Sequence, residues 1–203
     1  FRRHEPIGCR DVYTERLLRS KGVEAFTSNC LSLTLPRRTG DAGRQTEVFV
    51  VSRDERIREH LPKSIEPYTF VNHYSGSGDF TANMARAEAL LDAYESRAKL
   101  VVTTMLHGAL PAIAMGIPVV VFYPINDETA HASDRERFSS LDGLVRVHRV
   151  EEMERVEWNP EPVDVSGVKL GILDRFYEMA ARWRIEEPAP LGPIAPASAL
   201  PPP

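Results

Sequence analysis

Apolar residues fall into two rhythms along this chain, short solid blocks and looser stripes of helical spacing, and the two alternate. The blocks at 47–52, 68–72, 100–102 and 118–122 read as strands buried on both sides. Between the last two lies Thr103-Thr104-Met105-Leu106-His107-Gly108-Ala109-Leu110-Pro111-Ala112-Ile113, followed by Gly116. That order predicts strand, tight turn, short apolar helix and strand, one βαβ unit of a parallel sheet. Upstream, 9–21 predicts a helix with Val12, Leu17 and Leu18 as its stripe, entered through a turn at Pro6-Ile7-Gly8 and stopped at Gly22. Residues 23–27 and 31–35 read as short strands, 36–46 as a polar loop, and Asp54 as the start of a short helix ending near Leu61-Pro62. The longest predicted helix covers 80–97, with Met84, Ala87, Leu90, Leu91 and Tyr94 on one face. Farther on come a loop at Pro124-Ile125-Asn126-Asp127, a short helix over 134–139 and a strand over 144–147. An amphipathic helix over 168–184 then packs through Leu170, Leu173, Phe176, Tyr177, Ala180 and Trp183. Strands alternating with helical segments predict an α/β fold: a doubly wound, mostly parallel Rossmann-like sheet with helices on both faces.

From 188 to the end the composition is proline and alanine with little else, which cannot build ladders or a core and reads as a disordered tail. The expected organisation is therefore one Rossmann-like domain over 1–186 and a Pro/Ala-rich tail over 187–203. With 42% apolar and 27% charged residues the chain has the balance of a soluble globular protein. A net charge of −4 with interspersed signs argues against nucleic acid or an anionic membrane as the main partner. No stretch approaches the ~20 apolar residues of a membrane-spanning helix. The two cysteines, Cys9 and Cys30, make no disulfide framework, so a reducing cytoplasm is the expected compartment. The opening at Phe1 reads as a run into the middle of a domain, and the expectation is a carboxyl-terminal piece of something longer.

Candidate chemistry concentrates at His107. It falls where a strand hands over to a helix, and ligands of open α/β sheets bind where loops at the carboxyl ends of strands meet free helix N-terminal amides. Gly108 beside it would allow a ligand to approach the backbone. The duller account is a core histidine satisfied by a carbonyl. Arg10, read in the first turn of its helix, opposes the macrodipole unless an anion binds nearby. Against that stands a plain surface pair with Asp11 or Glu15, worth ~0 to 1 kcal/mol. Asp11 reads as a cap. Cys9 beside Arg10 would have a depressed pKa at a helix start, although a buried structural thiol is the stronger reading, and Cys30 reads as core. Ser75-Gly76-Ser77-Gly78 lacks the lysine of a P-loop and reads as an ordinary loop. His73, His131 and His148 lack metal-ligand spacing, so no metal site is assigned. Arg37, Arg38 and Arg44 are either solvated or a contact for an anionic glycan or lipid-linked carrier. Asn126-Asp127-Glu128 follows a strand end and would border a cleft.

Two stretches together resemble the polysaccharide pyruvyl transferase family. One is His4-Glu5-Pro6-Ile7-Gly8-Cys9-Arg10-Asp11, continuing to Ser28-Asn29-Cys30-Leu31-Ser32-Leu33-Thr34-Leu35; the other is Thr103 to Pro111, continuing through Gly116-Ile117-Pro118-Val119. Their order and spacing look like that family's carboxyl-terminal half, over roughly 4–150. The resemblance implies one half of a GT-B-type glycosyltransferase fold. It also implies a transferase that moves pyruvate from phosphoenolpyruvate onto two hydroxyls of a sugar in a cell-surface or exopolysaccharide, forming a ketal. Arg10, Leu106, His107 and Gly108 would bind the donor, with Arg10 as anion clamp and His107 as the acid that protonates the enolpyruvyl methylene or steadies the departing phosphate. The implied partners are phosphoenolpyruvate and a sugar or lipid-linked glycan acceptor, with peripheral contact at the inner face of the membrane and no cofactor. The family usually carries an arginine immediately before the Leu-His pair, where this chain has Met105, so a second clamp for phosphate or carboxylate is missing. Two alternatives stay open: a nucleotide-sugar glycosyltransferase half, and a non-catalytic glycan-binding or assembly module with a degenerate donor site.

Overall fold

The structure is a computed structural model that describes residues 2–39, 42–73, 78–125 and 136–182. Five parallel strands form the main sheet: β3 (Glu47–Val51), β4 (Tyr68–Val71), β5 (Ala98–Thr103), β6 (Val119–Phe122) and β7 (Val147–His148), in the order β4-β3-β5-β6-β7. Two further strands, β1 (Ile7–Cys9) and β2 (Ala25–Thr27), pair in parallel as a separate small sheet. The α-helices lying wholly among the described residues are α1 (Val12–Ser20), α2 (Phe80–Arg97), α3 (Leu106–Ala114) and α4 (Ser166–Arg182). The chain is thus an α/β protein with a parallel, Rossmann-like sheet.

Solid apolar blocks become central strands because both faces of the sheet are covered. On one face Phe49, Val51, Val101 and Val121 pack beneath α2 and α3 with Tyr94, Leu110 and Ile113. On the other, Val48, Val50, Leu100, Val102 and Val120 pack against Ile57 and Ile65, which come from short 3-10 turns, and Val156, which follows one. Tyr94 closes α2 onto the sheet, its ring edge-on to Phe49 with centroids 5.1 Å apart. Lys169 ties α4 down by donating from Nζ to the carbonyls of Leu35 (2.6 Å) and Ala114 (2.7 Å), the latter at the carbonyl-rich end of α3.

Several expectations are corrected. Pro6-Ile7-Gly8 is not a turn: Ile7–Cys9 is strand β1, paired residue for residue with Ala25–Thr27. The helix therefore starts at Val12 and not at residue 9. Asp11 holds an extended backbone as its N-cap and accepts the Thr14 amide, which prevents the helix from running farther back. Arg10 consequently precedes the helix and does not sit in its first turn. Residues 31–35 are not a strand either. Leu31–Thr34 is a 3-10 turn, because only Leu33 is buried, against α3, while Leu31 faces solvent. The predicted stripe of α2 packs only over its second half, and Phe80 and Met84 are exposed. On α4 the packing residue is Ile172, with Leu170, Phe176 and Tyr177 exposed, so the apolar content of that helix overstates its buried face. The last strand is Val147–His148, later than 144–147. Trp183, the Pro/Ala-rich tail and residues 134–135 lie outside the described residues, and the predicted short helix continues into a 3-10 turn, Phe138–Leu141.

Candidate functional site

Numbered within the main sheet, the strand order is 2-1-3-4-5. The connection from β3 turns one way to β4, and the chain then crosses back through α2 to enter β5 on the other side of β3. The winding reverses at the carboxyl ends of β3 and β5, the place where open α/β sheets form their ligand crevice. Its floor is laced by hydroxyls. Ser52, after β3, and Thr104, after β5, share a buried hydrogen bond of 2.8 Å, and Thr103 donates from Oγ1 to the Val51 carbonyl at 2.8 Å.

The turn from β5 into α3 stands on that floor, with His107 exposed on it. The N-cap of α3 is Met105, whose side chain accepts nothing, whereas α1 and α2 are capped by the carboxylates of Asp11 and Asp79. The first turn of α3 therefore keeps its positive dipole end uncapped by protein. Of the three expected donor-side amides, that of Gly108 is already committed to the Met105 carbonyl at 2.9 Å, which leaves those of Leu106 and His107 for a ligand. Gly108 also has a reason for being glycine other than ligand approach. It is buried, and a Cβ there would lie 2.5 Å from Thr103 Oγ1 and 3.2 Å from Val51 Cγ1, so its lack of a side chain lets the helix press onto β3 and β5.

The carboxyl ends of the small sheet join this edge. Arg10 follows β1, and the Ser28-Asn29-Cys30 turn follows β2. The turn is held by the Ser28 amide on the Cys9 carbonyl (2.7 Å) and bends through Asn29, whose φ of 61° is left-handed. It delivers the Cys30 sulfur to 3.9 Å from His107 Nε2 and 3.3 Å from the Ser32 hydroxyl. The hydrogen bond from His107 is the main reason the Cys30 thiol is brought down to about 7, against burial, which pushes it up. His73, just beyond β4, is pushed down first by burial and then by the charges of His107 and Arg53, so it belongs to the same electrostatic neighbourhood. Arg10 pairs with Asp11 at 3.3 Å through one terminal nitrogen, while its Nε is shielded from solvent with no acceptor among the described residues. Ser140, in the 3-10 turn Phe138–Leu141, donates to the Arg10 carbonyl at 3.3 Å and ties this residue to the main sheet's edge.

Sequence reasoning named neither Cys30 nor His73 as a site residue; Cys30 packs against the core as expected, but its sulfur also reaches His107. With strands expected at both 23–27 and 31–35, Cys30 read as a plain connection between two strands; Leu31–Thr34 is a 3-10 turn, so Cys30 belongs to the turn that follows β2. Treating every carboxyl strand end as a site candidate, not only that of β5, would have found both residues. Cys9 goes the other way. It is buried, and burial together with the nearby Glu15 and Asp11 carboxylates raises its thiol, the reverse of activation. Arg37 and Arg38 do not approach His107. Arg37 lies over Gly116, and Arg38 bonds the Ala98 carbonyl with its guanidinium and the Met115 carbonyl with its amide, at the amino edge of the sheet. A hollow of about 490 Å³ lies at that same amino edge, lined by Val48, Lys99, Leu100 and Trp158, away from His107. Ser75-Gly76-Ser77, His131 and Asn126-Asp127-Glu128 lie outside the described residues. Among the described residues no group of three His, Cys, Asp or Glu side chains is arranged to hold a metal, and no helix is long and apolar enough to cross a membrane.

Fold and site together define a Rossmann-like α/β protein in which Arg10, His107 and the uncapped start of α3 lie at the carboxyl edge of the sheet. The chain belongs to the polysaccharide pyruvyl transferase family, which it matches over residues 1–126, a span that includes Arg10, Cys30 and His107. No curated protein and no solved structure matches it.

Proposed function

We propose that the protein is a transferase that moves pyruvate from phosphoenolpyruvate onto two hydroxyls of a sugar or lipid-linked glycan, forming a cyclic ketal on a cell-surface or exopolysaccharide. The observation that carries this reading is an exposed imidazole, His107, at the winding reversal of the sheet, one residue inside a helix start with no side-chain cap. In this reading the amides of Leu106 and His107 receive donor oxygens, and the Nε of Arg10 finds there the acceptor it lacks, which offsets the ~1–3 kcal/mol cost of an unsatisfied buried donor. His107 delivers a proton to the enolpyruvyl methylene. The adjacent carbon becomes oxocarbenium-like, one sugar hydroxyl attacks it, phosphate leaves, and the second hydroxyl closes the ring. Histidine suits the step because its charge changes near neutrality, and a positioned acid contributes ~10² to 10⁴-fold in rate. Extending the family resemblance, this Rossmann-like unit is one half of a GT-B-type enzyme acting in the cytoplasm at the inner face of the membrane.

His107→Ala is expected to keep its circular dichroism and melting temperature while losing at least ~10²-fold in phosphoenolpyruvate-dependent ketal formation. Turnover like that of the parent chain in this variant would remove the proposal. Met105 favours a second reading, a glycan-binding module with a degenerate donor site, because it supplies neither cap nor charge where the family usually has arginine. Calorimetric titration separates the two: saturable heat with phosphoenolpyruvate supports the transferase. Heat that appears only after Met105→Arg supports the module.

A further inference from the structure

The structure brings together a thiol, an imidazole and a hydroxyl from segments 77 residues apart, and the transfer chemistry uses only the imidazole. Cys30 is half-buried, so it is reachable, and it is fixed from both sides by Ser32 Oγ and His107 Nε2. The charged groups around it are few. From α3 it meets His107, whose charge also reaches His73, itself beside Arg53; Lys169 of α4 is spent on the carbonyls of Leu35 and Ala114. Cationic neighbours and neutral hydroxyls favour a thiolate and leave it solvent access.

We propose that Cys30 is a modification site, a thiol that His107 activates for attack on peroxides and that is converted to a sulfenic acid at the mouth of the crevice. The thiolate sulfur attacks one peroxide oxygen. The S–O bond forms as the O–O bond breaks, and the leaving hydroxide takes the proton of the His107 imidazolium and departs as water. Sulfur loses two electrons and hydrogen peroxide, the oxidant, gains them. Cys9 supplies an internal control, since burial and carboxylates hold it in the inert form. This chemistry is independent of what the crevice binds. Its consequence, loss of donor turnover once an oxygen is added to a sulfur 3.9 Å from His107 Nε2, rests on the transferase reading.

The test uses the full reduced chain, hydrogen peroxide with dimedone as sulfenic-acid trap, and peptide mass mapping. The expected result is an adduct on Cys30 and none on Cys9. In parallel, the pH profile of iodoacetamide alkylation at Cys30 is expected to have its midpoint near 7, as the lowered thiol requires. His107→Gln should slow alkylation at pH 7 by about five- to eightfold, the gain in thiolate fraction being partly offset by lower intrinsic nucleophilicity. Equal labelling of the two cysteines, or an alkylation midpoint near 9, would overturn the assignment without recourse to any variant. A reduced chain that never turns over phosphoenolpyruvate contradicts the transferase reading and leaves the thiol assignment standing, whereas full turnover by the chain oxidised at Cys30 overturns the predicted block of the donor site.

Discussion

Two parallel sheets deliver residues to the same edge, and they are built on opposite principles. The five-stranded sheet has an apolar centre: Val50, Val51, Val101, Val102 and Val121 are all essentially inaccessible, and its crossing elements lock onto them. The three-residue strands β1 and β2 with α1 form a region in which the helix buries no residue fully, and Tyr13 and Leu17 are exposed. That region is held by polar bonds instead. Arg19 bridges the Ala25 carbonyl (2.8 Å) and Glu15 (2.9 Å), Thr27 donates to Glu15, and Ser28 bonds back to Cys9. A packed sheet positions a side chain through its backbone, as it does His107. A polar lattice positions one through its partners, as it does Arg10. The first arrangement tolerates loss of any single bond; the second does not.

The largest effect expected on this contrast is in the packed region. Gly108→Ala drives a methyl group to 2.5 Å from a Thr103 hydroxyl that is itself bonded to Val51 and Met105. Overpacking costs ~1–3 kcal/mol, only partly offset by alanine's better helix propensity. A net loss of about 2 kcal/mol should lower the melting temperature by roughly 4–8 °C in a domain of this size. An unchanged melting temperature would show that the β5–α3 contact yields easily and that packing does not fix His107. Next comes Arg10→Met, which keeps the stem and removes the guanidinium. Under the transferase reading the dissociation constant for phosphoenolpyruvate should rise about tenfold, ~1.4 kcal/mol, measured by calorimetry. No change would mean that Asp11 already neutralises Arg10 and that the anion is held by α3 alone.

The same contrast explains what could be read from the amino-acid sequence. The order of β3, β4, β5, α3 and β6 was legible because solid valine and leucine blocks have one physical meaning, burial on both faces. His107 was legible because a strand-to-helix turn is fixed by those blocks on either side. The small sheet was not: three residues such as Ile7-Gly8-Cys9 are too few to show a period, and their pairing with Ala25–Thr27 rests on polar contacts up to 19 residues apart in the chain. The alternation Leu31, Leu33, Leu35 imitated a strand because hydrophobic spacing alone cannot tell a pleated ribbon from a tight turn that buries one leucine. That single error hid Cys30. The exposed apolar residues of α2 and α4 misled in the same manner, since periodicity reports what a helix is able to bury and not what lies against it.

The smallest expected effect is also the sharpest test of how the polar region works. Asp11 and Asp79 both cap helices through a carboxylate, so cap loss alone should cost each a similar ~0.5–2 kcal/mol. They differ in surroundings. Asp79 is exposed and accepts two amides of its own helix, at 2.8 and 3.2 Å. Asp11 is buried and accepts both the amide and the hydroxyl of Thr14 at 2.8 Å while pairing with Arg10. Removing it also strands a half-buried guanidinium and a threonine hydroxyl. Chemical denaturation of Asp11→Ala and Asp79→Ala should therefore show the first to be less stable by about 1 kcal/mol more than the second, with unchanged slope. Adding phosphoenolpyruvate should narrow that gap under the transferase reading, because a bound anion gives the stranded Arg10 a partner. Equal losses in the two variants would mean that the Arg10–Asp11 pair contributes nothing to the fold, and Arg10 would then have to be positioned by its Ser140 contact and the β1 backbone.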